Sequence, residues 1–379
     1  MLTKGINFVN FKIKKNSTLV KKNLISILKS NNEVLNSLSQ NYKNNFAKKL
    51  LNKYKKKIDY RVIGMGGSSL GTQTIYNFLK HKIKKNFVFT DNLQTTLIKD
   101  KKNYINLIVS KSGNTLETIV NSNILIKKKD RNIFITENKD SYLFSLAEKL
   151  KSDIIHHNNY IGGRYSVLSE VGMLPAELMG LKANNFRQLN NLIKNKKFIN
   201  SLISNVSSTL YFIKKKKFNS VIINYDKRSE NLFNWYQQLI AESLGKKKKG
   251  LLPVISIMPK DNHSTMQLYL DGFKNNFFTF FYVNEKNSEK IKNNTILSSQ
   301  YYLKNKNISQ ITLAQRKATE NIFKKRNIPF RSFEIKKRDE KTLGELFCFF
   351  ILETILIGKS MNLNPYDQPA VELIKAETK

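Results

Sequence analysis

The chain has 379 residues, with 66 Lys or Arg against 28 Asp or Glu, so its formal net charge is +38. One hydrophobic core usually stops growing at roughly 250–300 residues, so two domains are expected. A hydrophobic content of 40%, with 24 Phe and 16 Tyr, excludes a disordered basic tail. The single cysteine, Cys348, excludes an intrachain disulfide and a zinc site built of several thiolates, and it fits a cytoplasmic location.

The positive charge is mostly Lys and is spread along the chain in short runs. Such a distribution is typical of solvated surfaces, whereas a nucleic-acid site would concentrate Arg and aromatic side chains. We therefore predict no specific nucleic-acid partner and keep nucleic-acid binding as an alternative. The runs occupy residues 55–57, 127–129, 214–217 and 246–249.

The sequence contains no clear membrane segment. Residues 1–15 lack the continuous apolar stretch of a signal peptide. The most apolar stretch, residues 343–358, is interrupted by Glu345 and Glu353 and is too short to span a bilayer. It is predicted to form a buried helix.

The predicted elements begin with a helical segment from Ser17 to about Lys57, and short β-rich runs then alternate with helices. Such alternation predicts parallel sheets covered by helices on both faces, that is, an α/β fold. The predicted division is a helical N-terminal segment at 1–57, α/β subdomains at 58–182 and 183–340, and C-terminal helices at 341–379. Strands are predicted at 60–65, 87–90, 105–110, 132–136, 220–225, 254–258, 277–283 and 330–335, with helices at 230–244 and 314–326.

A glycine-rich turn at residues 64–71 lies between a predicted strand and a predicted helix. Small residues let a ligand approach the backbone, and a helix N-terminus suits phosphate. Gly64 and Gly66 match a dinucleotide fingerprint, but Ser69 occupies its third glycine position. With Asp91 after the next strand, nicotinamide binding stays a minor alternative.

A second turn, residues 110–118, is rich in hydroxyl groups at the end of a predicted strand. Ser110, Ser112, Thr115 and Thr118 exceed what one helix cap requires, so phosphate binding is favoured over a plain cap.

Three other features are weak when taken singly. Gln238 and Glu242 share a helix face, since they are four residues apart. A glutamate near a helix end is more often a solvated charge, and His263 and Lys375 are equally unremarkable alone.

Together these segments resemble the glucose-6-phosphate isomerase, or phosphoglucose isomerase, family. Five ordered blocks carry the resemblance across almost the whole chain: residues 64–71; 110–118; 162–169 with 171–172; 242–246 with 262–270; and 364–368 with 371–373 and Lys375. The resemblance implies two doubly wound subdomains of the sugar-isomerase (SIS) type, a sugar-phosphate substrate, no cofactor or metal, and a homodimer with shared sites.

Carried over residue by residue, the resemblance implies a proton-transfer mechanism. Glu242 would move a proton between C2 and C1, His263 with Lys375 would open the sugar ring, and Arg164 would stabilise the enediolate. These residue types suit those roles, because a carboxylate shuttles a proton and a guanidinium favours a developing oxyanion. The implied substrate-binding residues are Ser68, Ser110, Lys111, Ser112 and Thr115 around the phosphate, with Gly67, Gln238 and Gln368 lining the site.

The sequence departs from the family pattern in a few places. The chain is short for the family, Ile374 replaces a usual Gly before Lys375, Ser112 stands where Thr is common, and Asp261-Asn262 precedes His263 where a Gln is usual. Two alternatives remain: a bifunctional phosphoglucose/phosphomannose isomerase, and a sugar-phosphate-binding regulator without turnover.

Overall fold

The described residues form two five-stranded sheets, each covered by helices; one sheet is continuous in sequence, and the other combines the N-terminal strand with strands from the second half of the chain. In this computed structural model the described residues are 2–12, 17–95, 103–127, 129–285 and 287–378.

The described residues of the N-terminal segment form one strand and three helices. Helix α1 is capped by Ser17, whose side chain accepts a hydrogen bond from the Val20 N–H, and its buried residues recur at helical spacing as predicted. The sequence predicts only helices in this segment, whereas the structure also contains the strand β1, which is four residues long. The elements are β1 (Ile6–Val9), α1 (Thr18–Lys29), α2 (Glu33–Ser37) and α3 (Lys48–Tyr54).

The first sheet is entirely parallel, with strand order β3-β2-β4-β5-β6. The chain leaves β2 toward β3 and then crosses back to β4, so the order reverses between β2 and β4. That edge is where open α/β sheets bind ligands. The elements are β2 (Asp59–Gly64), α4 (Leu70–Phe78), β3 (Asn86–Thr90), β4 (Ile105–Val109), α5 (Leu116–Leu125), β5 (Arg131–Thr136), α6 (Tyr142–Lys149) and β6 (Asp153–His156).

A helical stretch connects the strands of the first sheet to β7 (Asn219–Asn224) of the second. Its longest helix is capped by Asn195, whose side chain accepts from the Lys197 and Phe198 N–H groups. The helices are α7 (Glu170–Leu178), α8 (Ala183–Phe186), α9 (Leu189–Ile193) and α10 (Lys196–Lys214).

The second sheet has the order β1-β10-β9-β7-β8, in which only β1 runs antiparallel to its neighbour. Every residue of β9 is buried because helices cover both faces of this central strand. Helix α13 starts six residues before the predicted start at 314, at a capping box on Asn307. The elements are β7 (Asn219–Asn224), α11 (Glu230–Leu244), β8 (Leu252–Ile257), α12 (Met266–Asp271), β9 (Asn276–Val283), α13 (Ile308–Lys325) and β10 (Phe330–Ile335).

Two helices complete the chain, α14 (Glu340–Ser360) and α15 (Pro369–Glu377). Residues 342–358 of α14 are all buried, which confirms the predicted buried helix. Within the described ranges, no helix combines the length and the apolarity needed to cross a membrane.

A buried ion pair joins α14 to the second sheet. The Arg331 guanidinium on β10 binds the Glu353 carboxylate, and each side chain is 1% exposed. Arg331 also donates to Asn205 at 2.7 Å and to Thr279 at 2.9 Å. These bonds satisfy a charge pair that would otherwise be costly to bury.

Candidate active site

The turn after β2 passes very close to the turn that carries Arg164. A Cβ atom built on Gly67 would lie 2.2 Å from the Gly163 carbonyl carbon, so the backbone approach requires glycine there. Gly66 has a φ of +51°. Ser68 is half-buried and ends the short turn Gly66–Ser68. The predicted small-residue turn therefore serves close packing against the turn that carries Arg164.

The hydroxyl-rich turn after β4 lies at the same sheet edge. The Oγ of Ser110 is 2.8 Å from the Oγ1 of Thr115. Thr115 is the N-cap residue of α5, yet its side chain makes no capping hydrogen bond. The exposed Ser112 accepts a hydrogen bond from the Asn114 N–H at 3.3 Å. These hydroxyls are not used as a plain helix cap, which favours the phosphate-binding interpretation.

Lys111 is held at the rim of this turn. Its Nζ donates to the Asn159 carbonyl at 2.8 Å and lies 3.4 Å from the Oε1 of Glu137. Glu137 is 8% exposed and also pairs with Lys139 at 2.5 Å. This arrangement places a fixed positive charge beside the hydroxyl groups.

Arg164 is buried where the two sheets and the C-terminal segment meet, with its side chain 1% exposed. Its Nη1 donates to the Oε2 of Glu242 at 3.1 Å and to the Oε1 of Gln368 at 2.6 Å. Its other N–H groups donate to the Ser243 hydroxyl and to the carbonyls of Pro365 and Asp367. One guanidinium thus joins three distant parts of the sequence.

Glu242 lies in the last turn of α11, and its side chain is 29% exposed. Its Oε1 accepts a hydrogen bond from the Nε2 of Gln238 at 2.8 Å, while Arg164 binds the other oxygen. The carboxylate is therefore fixed in orientation and still accessible to a ligand.

Gln238 connects Glu242 with the glycine turn. A Cβ atom on Gly66 would lie 2.8 Å from the Nε2 of Gln238, so the amide packs directly against the turn. The Oε1 of Gln238 is buried and has no hydrogen-bond partner among the described residues. A buried acceptor of this kind is costly unless a ligand donates to it.

Three side chains, Tyr165, Ser243 and Trp235, support the site although the sequence analysis assigned them no role. Tyr165 donates to the Pro365 carbonyl at 2.9 Å and contacts the Ser243 hydroxyl, and burial raises its pKa to about 12. Trp235 donates to the Arg164 carbonyl at 3.1 Å. Tyr165 and Ser243 lie within two of the five sequence blocks that resemble the family, and this position is the sequence signal that could have indicated their place at the site.

The C-terminal segment is tied to the end of α11 by Lys246, whose Nζ donates to the Oδ1 of Asp367 at 2.6 Å. This hydrogen bond lowers the pKa of Asp367, and Asn364 donates to the other oxygen of that carboxylate at 2.9 Å. The segment that carries Gln368 is held in place from both sides.

The structure separates His263 from this group. It lies on the exposed turn Lys260–His263 after β8, and no hydrogen bond or ion pair within the described part of the chain joins it to Glu242 or Arg164. Lys375 belongs to α15, but its side chain lies outside the described structure.

The alternative of nicotinamide binding loses support. Asp91 accepts a hydrogen bond from Gln73 at 2.6 Å, so its carboxylate binds a neighbouring helix as a structural acceptor. Among the described residues, no cluster of three His, Cys, Asp or Glu could hold a metal ion.

Comparison with known families identifies the chain's relatives. The sequence model of the family described as phosphoglucose isomerase matches residues 14–379. The chain belongs to this family. It is 35% identical to the glucose-6-phosphate isomerase of Methanocaldococcus jannaschii, over 85% of this chain and 84% of that protein.

Solved structures show the same fold. A glucose-6-phosphate isomerase from Chlamydia trachomatis has a TM-score of 0.77 at 16% identity and covers 99% of this chain and 88% of that one. The tagatose-6-phosphate ketose/aldose isomerase from Escherichia coli has a TM-score of 0.52 at 13% identity, covering 94% of this chain and 98% of that one. These similarities confirm the predicted α/β fold of the sugar-isomerase type for this member of the phosphoglucose isomerase family.

Proposed function

We propose that this chain is a glucose-6-phosphate isomerase, which interconverts glucose 6-phosphate and fructose 6-phosphate in glycolysis and gluconeogenesis. The observation that carries the proposal is the Glu242 carboxylate, held between Arg164 and Gln238 beside two turns suited to phosphate. Membership of the phosphoglucose isomerase family supports the same conclusion.

In this proposal Glu242 is the base that moves a proton between C2 and C1 of the open-chain sugar. A cis-enediolate forms between the two transfers, and its negative oxygen develops only near the transition state. The positive charge of Arg164, buried beside Glu242, favours that oxyanion more than it favours the substrate. Arg164 also keeps the carboxylate in position for both transfers.

The phosphate group is assigned to the turns at the reversal point of the first sheet. Ser68, Ser110, Ser112 and Thr115 supply hydroxyl groups, and Lys111 supplies a charge at the rim. Gly67, Gln238 and Gln368 line the sugar end. The buried Oε1 of Gln238 accepts a sugar hydroxyl in this arrangement, which satisfies its unpaired acceptor.

Ring opening is assigned to His263, assisted by Lys375, within a homodimer whose sites are shared. The position of His263 on an exposed turn, without contact to Glu242, supports a role in the site of a second copy.

We also propose that the chain divides into a helical N-terminal segment at 1–57, α/β subdomains at 58–182 and 183–340, and C-terminal helices at 341–379. A cytoplasmic location is proposed as well, which is consistent with the buried free thiol of Cys348.

The direct test couples fructose 6-phosphate conversion to oxidation of the glucose 6-phosphate formed. Activity is expected without added metal or nucleotide and after EDTA treatment, because the proposed transfer uses side chains alone. Mannose 6-phosphate is measured in parallel to separate this activity from the bifunctional alternative. A folded protein that binds a sugar-phosphate inhibitor and turns over neither substrate would instead be a sugar-phosphate sensor.

The shared site is tested by mixing inactive subunits. In a hybrid of Glu242→Gln and His263→Ala chains, one site carries both lesions and the other carries neither. Such dimers should regain up to about half of the wild-type rate, given the cost of each lesion alone. Hybrids confirmed by mass that stay as inactive as the parents would show that each site is self-contained.

A further inference from the structure

Two lysine runs that lie about 30 residues apart in the sequence meet at one surface cleft. The cleft has a volume of about 750 Å³ and lies between α1, the end of α10, the turn after α11 and the end of α14. Its basic rim is formed by Lys214 from the first run and by Lys248 and Lys249 from the second. In the second run, Lys246 binds Asp367 next to Gln368, whereas Lys248 and Lys249 line the cleft.

The wall of the cleft is apolar. Two large apolar side chains that line it are exposed to solvent: Leu19 is 54% exposed and Phe218 is 44% exposed. Leu210, Tyr211, Ile213 and Met361 also line this wall. An exposed wall of this kind favours a ligand that brings apolar surface of its own.

The segments that form the cleft contain no acidic residue at all. Residues 2–32, 178–225, 243–260 and 354–366 lack both Asp and Glu. Within the described ranges, no ion pair involves Lys214, Lys248 or Lys249. The positive charge of the rim is therefore not neutralised by the protein itself.

The turn that presents the lysines is fixed in position. Lys249 donates from its Nζ to the Met361 carbonyl at 3.2 Å, and its backbone N–H donates to the Lys246 carbonyl at 2.9 Å. The cleft is thus preformed, and its volume falls in the range typical of small-molecule sites, about 300–1,000 Å³.

Other occupants fit less well. Nucleic acid is recognised through Arg and stacked aromatic rings, and the cleft contains no Arg. A second copy that met this face with its own equivalent face would bring the same uncompensated lysines, and like charges repel. A neutral apolar compound would leave the basic rim without a partner.

We propose that this cleft binds a single-chain anionic amphiphile, with its alkyl chain on the apolar wall and a carboxylate or phosphate head between Lys214 and Lys248. The proposal does not depend on the isomerase activity, because none of the residues that line the cleft is assigned to the isomerase site.

The test titrates the full-length protein with dodecyl phosphate below its micelle concentration, at about 0.15 M salt, where diffuse surface attraction is screened. We expect one equivalent to bind per chain. Dodecyl maltoside, which has the same chain without charge, and inorganic phosphate, which has the charge without the chain, should each bind at least about tenfold more weakly. Laurate in place of dodecyl phosphate distinguishes a carboxylate from a phosphate preference.

Variants separate the cleft from general charge. Lys214→Gln with Lys248→Gln should weaken dodecyl phosphate binding by about tenfold or more, and Phe218→Ser should weaken it as well. The matched control is Lys56→Gln with Lys57→Gln, which removes two exposed lysines of another run and should change nothing. Thermal unfolding confirms that each variant is folded.

Several results would overturn the proposal: equal weakening by the two lysine pairs, several equivalents bound per chain, or no saturable binding of either amphiphile. Tighter, saturable binding of a single-stranded oligonucleotide, lost in the cleft pair and kept in the control pair, would assign the cleft to nucleic acid instead.

Discussion

Arg164 has five N–H groups, and each of them donates a hydrogen bond within the candidate site. Two of the acceptors, Glu242 and Gln368, are side chains that the proposed reaction uses. The other acceptors are a hydroxyl and two carbonyls, so the guanidinium also fixes the backbone on either side of the site. No other side-chain type offers this number of donors in a rigid plane.

Removal of the proposed base is the sharpest test at the residue scale. Glu242→Gln keeps the shape of the side chain and removes its ability to take a proton, so the turnover number should fall by about 10²–10⁴. Affinity for a sugar-phosphate inhibitor should change little, since the phosphate turns are untouched. Steady-state kinetics and inhibitor titration measure the two effects separately.

The matched control is Glu230→Gln on the same helix, where the carboxylate forms an ion pair with Lys227. Its turnover should stay near that of the wild type. Near-normal turnover of the Glu242 variant would show that this residue is not the catalytic base.

Gly67 and Gly163 are close in space, and replacing each by alanine should affect stability very differently. Gly67→Ala places a Cβ atom 2.2 Å from the Gly163 carbonyl carbon, whereas the nearest atom to a Cβ on Gly163 is 4.0 Å away. Gly67→Ala should therefore destabilise the fold by about 1–3 kcal/mol and displace the turn that carries Ser68. Gly163→Ala should have a much smaller effect.

Thermal unfolding and turnover of both alanine variants check this difference. If both variants were equally stable and active, the close contact between the two turns would be wrong.

At the element scale, the buried pair of Arg331 and Glu353 links β10 to α14. Glu353→Ala leaves a buried guanidinium without its counter-charge, so it should lower the free energy of unfolding by about 3–5 kcal/mol. The double variant Arg331→Met with Glu353→Leu should recover much of that loss, because no unpaired charge remains. Urea unfolding of the two proteins gives the comparison, and an equal loss in both would mean that packing outweighs charge.

The sequence predicts those elements whose signal is local. The glycine and hydroxyl turns were placed correctly because each follows a short apolar strand and opens a helix, and both lie at the edge where the sheet order reverses. Strand β1 was missed because four residues carry little periodicity and its partner, with Ile6 opposite Ile335, lies more than 300 residues away. The bonds that Tyr165, Ser243 and Trp235 make at the site depend on similar long-range packing.

The resemblance grouped several distant residues into one candidate site without indicating how they contact each other. Arg164, Glu242, Gln238 and Gln368 are brought together as the resemblance implies, which periodicity alone could not have indicated. The roles of these residues, and the contribution of His263, stay predictions until the kinetic experiments are done.

For the whole molecule, one buried histidine should make stability sensitive to acid. Burial lowers the pKa of His157 to about 4 from its ordinary 6.5, and its Nε2 has no partner among the described residues. The unfolded chain takes up this proton near pH 6.5 and the folded chain only near pH 4. His157 therefore favours the folded state above pH 6.5 and progressively loses that contribution as the pH falls to about 4.

At full protonation the difference in pKa corresponds to roughly 3 kcal/mol. His157→Gln should flatten the fall in urea midpoint between pH 7 and pH 4.5, whereas His156→Gln, at the exposed neighbouring position, should leave the fall unchanged. Parallel pH profiles for wild type and His157→Gln would contradict this assignment.

The antiparallel pairing of β1 with β10 also bears on how the chain is made. On the ribosome, residues 6–9 emerge early, while their partners at 332–335 emerge only after nearly all of the chain has been translated. The second sheet therefore closes late in synthesis, and contacts of such long sequence separation form slowly. Until then an open strand edge is available to other nascent chains. Cells that make this protein at high levels should thus depend on chaperones during the interval before β1 and β10 meet.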